Sequence, residues 1–287
     1  MIYNTQCPIC LFKGQMKKVS VVCGTNILLC PNCSVEFLAT QISQEEVKRM
    51  YDQYYNDLKF DSFLLSNLKK KTFAGYIEKL KFYKATGTLL DVGTQSGFLL
   101  DVAQKEGFNV FGVELSEYAS RIAKTKFGSD KIHTGTIKTA NFNKKYFDLI
   151  TMCDLLEHVQ DPVDTLKSAS GLLKEDGCIM IVTPDYNSLI SRIVRMARKK
   201  YPFEHLYYFN AGTIEKMCKL AGFKIIDKNP VWKMATIEYI YSYLKLYKMF
   251  PLSFIFWFFK LMPFIRKINF KMPSGSMMYI LKKHGIR

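Results

Sequence analysis

The sequence lacks any uncharged apolar run of about 18 residues or more, the minimum for a helix that crosses a bilayer. Its nearest approach, residues 250–259, contains Pro251 and is followed by Lys260 and Pro263. The N-terminus also lacks the charged segment and apolar core of a secretory signal peptide. We therefore expect a cytoplasmic protein that reaches a membrane only as a peripheral protein, at the inner face of the cell membrane.

Acidic residues are scarce, with 25 Asp and Glu against 41 Lys and Arg, so the formal charge is +16. A surface of this charge attracts nucleic acid, an anionic membrane or a phosphorylated substrate, and the charge alone does not choose among them. Hydrophobic residues make up 48% of the chain, so it can bury a substantial core. Histidine is also rare, with 4 residues, which leaves few candidates for a base that works near neutral pH.

Cysteine occurs in two closely spaced pairs near the N-terminus, Cys7-Pro-Ile-Cys10 and Cys30-Pro-Asn-Cys33. Disulfides are disfavoured in the reducing cytoplasm, whereas tetrahedral Zn²⁺ takes four thiolates from two tight pairs at this spacing. The sequence therefore predicts a four-cysteine zinc ribbon over residues 1–40. Four sulfur ligands leave no open position, so we expect a structural Zn²⁺ ion.

Short apolar runs alternate with helical stretches from Gly87 onward, which predicts a doubly wound, mostly parallel α/β sheet with crossover helices. Before it, residues 41–85 form a helical connector that opens with a capping box of Ser43 and Glu46. The predicted strands are 17–22, 26–29, 88–92, 109–113, 130–134, 147–153, 178–183, 223–228 and 277–281. The predicted helices are 43–58, 65–84, 97–106, 116–126, 162–174, 187–200 and 213–221. The α/β domain is assigned residues 86–230 and 273–287, with an aromatic and basic insert at 231–272.

Residues 88–100 read as a buried strand, a turn that contains Gly93 and Gly97, and the start of a helix. Glycines in such a turn let a ligand approach the backbone N–H groups at a helix N-terminus. Asp91 at the strand end can accept hydrogen bonds from the turn or from a ligand ammonium. Glu114 ends the next strand about 20 residues downstream, where a carboxylate can accept from both hydroxyls of a ribose.

The segment Asp91-Val-Gly-Thr-Gln-Ser-Gly97 resembles the first motif of class I S-adenosylmethionine-dependent methyltransferases, which reads approximately Asp-x-Gly-x-Gly-x-Gly. The resemblance covers residues 86–229 and continues in Phe147-Asp-Leu-Ile-Thr-Met-Cys-Asp-Leu-Leu-Glu-His158 and in Leu172-Leu-Lys-Glu-Asp-Gly177. Gln95 stands where the family has its middle glycine, and its side chain either crowds the cofactor or points outward.

The resemblance implies S-adenosylmethionine as cofactor and Rossmann-like methyltransferase topology. Its implied cofactor-binding residues are Asp91, Gly93, Thr94 and Gly97 around the methionine end, Glu114 at the ribose, Leu115 at the adenine face, Thr136 and Ile137 at the adenine amino group, and Asp154 beside the sulfonium. A nicotinamide-dependent enzyme and a non-catalytic cofactor-binding scaffold are the alternatives.

Methyl transfer to a hydroxyl needs positioning and a base. The segment Glu204-His205-Leu resembles the acceptor site of zinc-containing sugar methyltransferases, and this resemblance implies His205 as the base and Glu204 as its orienting or substrate-binding partner. Packing of His205 beneath neighbouring aromatic residues is the structural alternative. For His158, beside Glu157 at a helix start, a structural role is the better interpretation.

Residues 231–272 are dense in Tyr, Phe, Leu and Lys, and Glu238 is their only acidic residue. With the basic amphipathic helix predicted at 187–200, they indicate an interfacial element on anionic lipid, and a lid over the acceptor pocket or a dimer face explains the same residues. The sequence thus predicts O-methylation of a small-molecule or lipid-linked sugar in surface-glycan or glycolipid biosynthesis. RNA base methylation, with nucleic acid as partner, ranks below it, as does sugar C-methylation.

Overall fold

The computed structural model describes residues 1–22, 24–40, 42–43, 45–49, 63–197, 205–246, 257 and 268–285. These residues form two sheets. The smaller sheet is antiparallel and has the strand order β1-β2-β3-β4-β10. Its strands are β1 Ile2–Gln6, β2 Lys13–Val22, β3 Thr25–Leu29, β4 Glu36–Leu38 and β10 Tyr207–Tyr208.

The larger sheet has seven strands in the order β11-β12-β9-β8-β5-β6-β7. Strands β9, β8, β5, β6 and β7 are parallel, and β12 and β11 add an antiparallel hairpin at one edge. The strands are β5 Gly87–Val92, β6 Phe108–Glu114, β7 Ile132–Thr134, β8 Phe147–Cys153, β9 Leu173–Pro184, β11 Phe223–Ala235 and β12 Phe270–Lys283. The helices are α1 Phe63–Lys81, α2 Phe98–Lys105, α3 Glu117–Phe127, α4 Pro162–Leu172, α5 Leu189–Ala197, α6 Ala211–Leu220 and α7 Ile237–Leu246. The predicted doubly wound, mostly parallel fold is confirmed.

Both faces of the larger sheet are covered, because alternate residues of its central strands enter two different cores. Leu89 and Leu149 pack with residues of α1, α2 and α3. Leu90 and Ile150 pack with residues of α4, α6 and the smaller sheet. This burial on both sides explains why the strand runs read as nearly continuous apolar segments. No helix within these residues is long and apolar enough to cross a membrane.

The strands near the C-terminus run further than predicted. β11 continues to Ala235 and β12 begins at Phe270, and Trp232 pairs with Pro273 across them. The predicted limits of the insert, 231 and 272, therefore fall inside this hairpin. A ladder of backbone hydrogen bonds continues past the point where the composition changes, and the composition does not reveal it. Nearly half of the predicted insert, residues 247–256 and 258–267, lies outside the described residues.

The start of the helical connector is held by the capping box predicted from the sequence. The backbone N–H of Ser43 donates to the Glu46 carboxylate at 2.8 Å, and the backbone N–H of Glu46 donates to the Ser43 hydroxyl at 3.2 Å. Residues 45–49 are helical, while the rest of that predicted helix, from residue 50 on, lies outside the described residues. The second predicted helix of the connector is confirmed as α1.

The smaller sheet and the larger sheet share one buried core. Tyr207 of β10 pairs with Phe37 of β4, so a segment that follows the fifth parallel strand completes the N-terminal sheet. The Thr213 hydroxyl of α6 also donates to the backbone carbonyl of Cys33 at 3.0 Å. The N-terminal module is therefore docked firmly on the α4 and α6 side of the larger sheet.

Candidate functional site

The turn between β5 and α2 is shaped by two glycines. Gly93 has φ +81° and Gly97 has φ +84°, in the left-handed region that favours glycine. A Cβ atom on Gly97 would lie only 2.4 Å from a ring carbon of Phe127. The backbone N–H groups of Gly93 and Thr94 both donate to the Val113 carbonyl, at 2.8 and 3.1 Å. The turn is thus fixed against the end of β6, with α2 starting directly behind it.

Gln95, the departure from the family motif, also adopts a left-handed conformation, with φ +52°. Its side-chain oxygen accepts a hydrogen bond from Lys69 Nζ of α1 at 2.8 Å. Its backbone N–H donates to Glu114 Oε2 at 2.8 Å. The side chain is therefore held toward α1, and Gln95 preserves the backbone shape that a glycine provides at this position.

Glu114 lies at the carboxyl end of β6 and is 6% exposed. Besides Gln95, the backbone N–H of Ser116 donates to its other oxygen, Oε1, at 2.9 Å. A carboxylate offers about four lone-pair sites, so Glu114 can hold the turn and also accept from a ligand hydroxyl. Leu115 follows directly and is half-buried.

Asp91 is buried at the end of β5, with 4% of its surface exposed. Its Oδ1 accepts a hydrogen bond from the Thr151 hydroxyl at 2.6 Å. Burial raises the pKa of Asp91 to about 7, against the lowering effect of that hydrogen bond. Asp91 is therefore poised to ionise fully when a cation, such as a ligand ammonium, is placed beside it.

Two further hydroxyl residues of the turn, Thr94 and Ser96, are buried. Ser96 Oγ has no hydrogen-bond partner among the described residues. A buried hydroxyl without a partner is costly unless a ligand completes its hydrogen bonds. The turn, Asp91 and Glu114 thus fit the amino-acid and ribose ends of S-adenosylmethionine.

The residues that the family resemblance places at the adenine follow β7. Thr136 is partly exposed and its backbone N–H donates to the Thr139 hydroxyl at 3.0 Å. Ile137 is only 5% exposed and belongs to the core on the α4 side. Both therefore lie at the same carboxyl edge of the sheet as Glu114, and their contact with adenine stays a prediction.

Asp154 follows β8 with φ +49° and forms an ion pair with Lys233 of β11, Nζ to Oδ2 2.8 Å. Burial lowers the pKa of Lys233, but attraction to Asp154 outweighs it and the net shift is upward. The Asp154 carboxylate, which is predicted to lie beside the sulfonium, is therefore already paired with the Lys233 ammonium. Lys233 lies in the segment that the sequence assigns to the insert, and no local pattern signals this pairing.

Glu157 follows Asp154 by three residues and is 1% exposed. The Thr183 hydroxyl of β9 donates to its Oε2 at 3.0 Å, whereas Oε1 is buried without a hydrogen-bond partner among the described residues. Burial, together with repulsion from Asp154, raises the pKa of Glu157 to about 8. Sequence reasoning missed this residue as a functional candidate, although its place beside a histidine at a strand end was an available signal.

His158 and His205 are in contact, with ring centroids 4.7 Å apart and planes at 83°. The ring centroids of His205 and Tyr208 are 6.0 Å apart, which agrees with the alternative that His205 packs against neighbouring aromatic residues. The structure thus brings together the two histidines for which the sequence favoured different roles. Glu204, the predicted partner of His205, lies outside the described residues.

The four N-terminal cysteines converge in a second cluster. The sulfur atoms of Cys7 and Cys33 are 3.6 Å apart, as are those of Cys10 and Cys30. A tetrahedral ion with bonds of about 2.3 Å separates its sulfur ligands by about 3.8 Å. The cluster therefore fits one Zn²⁺ ion, and the side chains of the other described cysteines lie elsewhere.

A family model described as a methyltransferase domain matches residues 65–228, more than half of the chain. Ubiquinone biosynthesis O-methyltransferases from Nitrosomonas europaea and Coxiella burnetii are 29% identical over 119 residues and 31% identical over 118 residues. The matches cover 39% and 38% of this chain and 50% of each relative. The chain thus spans about half the length of these relatives.

Two solved structures have a similar fold. A SAM-dependent methyltransferase from Thermotoga maritima is 17% identical with a TM-score of 0.55, and the match covers 82% of this chain and 99% of that one. Magnesium protoporphyrin IX methyltransferase from Synechocystis, with bound SAH, is 15% identical with a TM-score of 0.53 and the same two coverages. With the glycine turn, the parallel sheet and the family match in agreement, the chain belongs to the S-adenosylmethionine-dependent methyltransferase domain family.

Proposed function

We propose that this chain transfers the methyl group of S-adenosylmethionine to a hydroxyl oxygen of its acceptor. The observation that carries this proposal is the group of ionisable side chains at the carboxyl edge of the sheet, where Asp154, Glu157, His158 and His205 follow β8 or precede β10. In open α/β sheets ligands bind at this edge. A hydroxyl acceptor must lose a proton during transfer, and imidazole and carboxylate are the groups that assist such a loss.

The cofactor-binding roles proposed for Asp91, Gly93, Thr94, Gly97 and Glu114 are supported by the geometry of the turn after β5. Ser96 joins them because its buried hydroxyl needs a partner. The bound cofactor supplies an electrophilic methyl group on a sulfonium. The chain itself supplies the orientation of the two reactants and a route for the acceptor proton.

For the acceptor, we propose a sugar hydroxyl on a lipid or nucleotide carrier, in surface-glycan or glycolipid assembly. The proposal is supported by the Glu204-His205-Leu segment and by the basic charge. A hydroxylated aromatic lipid is the second candidate, because the relatives named above are called ubiquinone biosynthesis O-methyltransferases. RNA is the third candidate, favoured by the net charge of +16.

We also propose that the four-cysteine cluster holds a structural Zn²⁺ ion, supported by its sulfur spacing. Contact with an anionic membrane at the cytoplasmic face is a further proposal. It is supported by α5, where Leu189 is 73% and Ile193 41% exposed, with Arg192 between them exposed as well. Two exposed apolar side chains beside an exposed arginine suit the boundary between headgroups and acyl chains.

The test is a product screen with methyl-labelled S-adenosylmethionine and the full chain, read by mass spectrometry. Three acceptor sets are supplied separately: lipid- and nucleotide-linked sugars, dihydroxyphenols with an apolar chain, and total RNA. We expect label on an oxygen of the first set. Label on a phenolic oxygen selects the second candidate, and label on an RNA base excludes the O-methyl proposal, as does failure of S-adenosylmethionine to bind.

A further inference from the structure

Three side chains at the carboxyl edge converge on one point. The donor atoms of Glu157, His158 and His205 all lie within 4.8 Å of one another. Donor atoms on one tetrahedral ion with bonds of about 2.1 Å lie about 3.4 Å apart, so small rotations of the side chains bring them onto a common centre. The edge-to-face arrangement of the two imidazole rings is compatible with two nitrogen atoms directed at the same ion.

The backbone holds this convergence in place. The carbonyl of Glu157 accepts hydrogen bonds from the backbone N–H groups of Leu206 and Tyr207, at 2.8 and 3.3 Å. The segment that carries Glu157 and His158 is therefore tied directly to the residues after His205. Tyr207 is in turn paired with Phe37 of β4. Because ligands must be positioned before a metal binds tightly, this support favours a preformed site.

The hydrogen bonding of the Glu157 side chain is incomplete. It is a buried carboxyl group, its Oε2 accepts from Thr183, and its Oε1 has no hydrogen-bond partner among the described residues. A buried, partly satisfied carboxylate is expensive, and a cation at Oε1 removes that cost. The nearby ammonium of Lys233 is paired with Asp154 at 2.8 Å, so its charge is balanced locally.

Two imidazole nitrogens and one carboxylate oxygen are a ligand set for divalent transition metals. Three protein ligands leave at least one coordination position open, in contrast to the closed four-cysteine cluster. We propose that Glu157, His158 and His205 bind one divalent transition-metal ion whose open position receives the hydroxyl oxygen of the acceptor. The role of the ion toward the acceptor rests on the proposed function, whereas the site itself does not. His205 would then be a metal ligand and not the base, and the acceptor proton would pass to solvent from a hydroxyl whose pKa the ion lowers.

The first test is a Co²⁺ titration of the full chain, with Zn²⁺ already bound at the four-cysteine cluster. Visible absorption monitors the titration. We expect one Co²⁺ per chain to give d–d bands without the intense thiolate-to-cobalt band that exchange into the four-cysteine cluster would cause. His158→Ala and His205→Ala should each weaken binding by about a hundredfold or more. His133→Ala, which changes a histidine bonded to Thr139 outside the site, should leave it unchanged.

X-ray absorption of Co²⁺ bound to the unaltered chain tests the ligands without relying on any variant. We expect oxygen and nitrogen neighbours with outer-shell scattering from two imidazoles. Absence of Co²⁺ binding in protein that retains its Zn²⁺ and binds S-adenosylmethionine overturns the metal site and leaves the methyltransferase proposal standing. Sulfur scattering also overturns the metal site, as does undiminished Co²⁺ binding by the His158→Ala and His205→Ala variants. Two-imidazole binding without methylation of any hydroxyl would instead contradict the proposed function alone.

Discussion

Gly97 is the position in the cofactor turn where a side chain has least room, since its Cβ would meet Phe127 at 2.4 Å and its φ is +84°. We expect Gly97→Ala to destabilise the chain by about 1–3 kcal/mol and to weaken S-adenosylmethionine binding, measured by thermal unfolding and calorimetric titration. Gly75→Ala is the matched control. Gly75 lies within α1 with nothing within 4 Å of its Cβ, so alanine should stabilise by about 0.5–1 kcal/mol. Equal effects at both sites would contradict the strained turn.

The carboxyl group of Asp91 predicts a pH dependence of cofactor binding. Its pKa is about 7 because it is buried, so it is largely protonated below that pH and anionic above it. The cofactor ammonium stabilises the anion and lowers the pKa in the complex, so affinity rises with pH. We expect the Kd for S-adenosylmethionine to be about tenfold larger at pH 6 than at pH 8. Calorimetric titration over this range measures it.

The Asp91→Asn variant is the control for that titration. It cannot ionise, so it should bind more weakly at pH 8 and lose the component of the pH dependence that comes from Asp91. Titration of the cofactor's own ammonium is common to both proteins and cancels in the comparison. An unchanged pH profile in Asp91→Asn would show that Asp91 does not face the cofactor.

At the scale of elements, the N-terminal cysteine cluster and the sheet that β10 completes depend on each other. We expect Cys30→Ser to release one Zn²⁺ per chain and to lower the melting temperature by about 5 °C or more, because β4, the strand that pairs with β10, loses its anchor. Cys218→Ala removes a buried thiol of α6 that lies outside the cluster, and should keep the metal. Elemental analysis measures the metal content, and thermal unfolding measures the melting temperature. Full metal content in Cys30→Ser would exclude a site of four cysteine ligands.

Helix α5 provides the test of membrane contact. We expect the double variant Leu189→Ser and Ile193→Ser to reduce co-sedimentation with anionic liposomes at least tenfold, because each leucine or isoleucine buried in lipid contributes about 1.5–3 kcal/mol. Leu220→Ser alters a residue of α6 that is 45% exposed, and should have no effect. Binding of the unaltered chain, the double variant and Leu220→Ser to the liposomes should weaken as the salt concentration rises. Equal binding by the double variant would remove α5 from the membrane contact.

At the scale of the whole molecule, one buried core joins the N-terminal sheet to the α4 side of the larger sheet. Units that share a core unfold together, so we expect a single calorimetric transition for the zinc-loaded chain, with equal calorimetric and van't Hoff enthalpies. Differential scanning calorimetry measures both. A separate low-temperature transition for residues 1–40 would show instead that the N-terminal module is an independent appendage.

Features that arise from local patterns can be predicted from the order of the residues alone. Buried parallel strands read as short apolar runs, a left-handed turn requires glycine at Gly97, and two C-x-x-C pairs form one cluster of four thiols. Glu114 was placed at the end of the second strand for the same reason, and its contact with the ribose stays a prediction. Each of these features depends on residues that are close in sequence.

Which distant side chains meet depends on long-range pairing in the folded chain. His158 contacts His205, with Glu157 close to both, because the loop after β8 is hydrogen-bonded to the segment that begins β10. Lys233 reaches Asp154 because β11 extends past the point where composition changes. β10 joins the N-terminal sheet by the same kind of long-range pairing. The physical reason is that β-ladders and shared cores bring together residues widely separated along the chain, and no local periodicity records their partners.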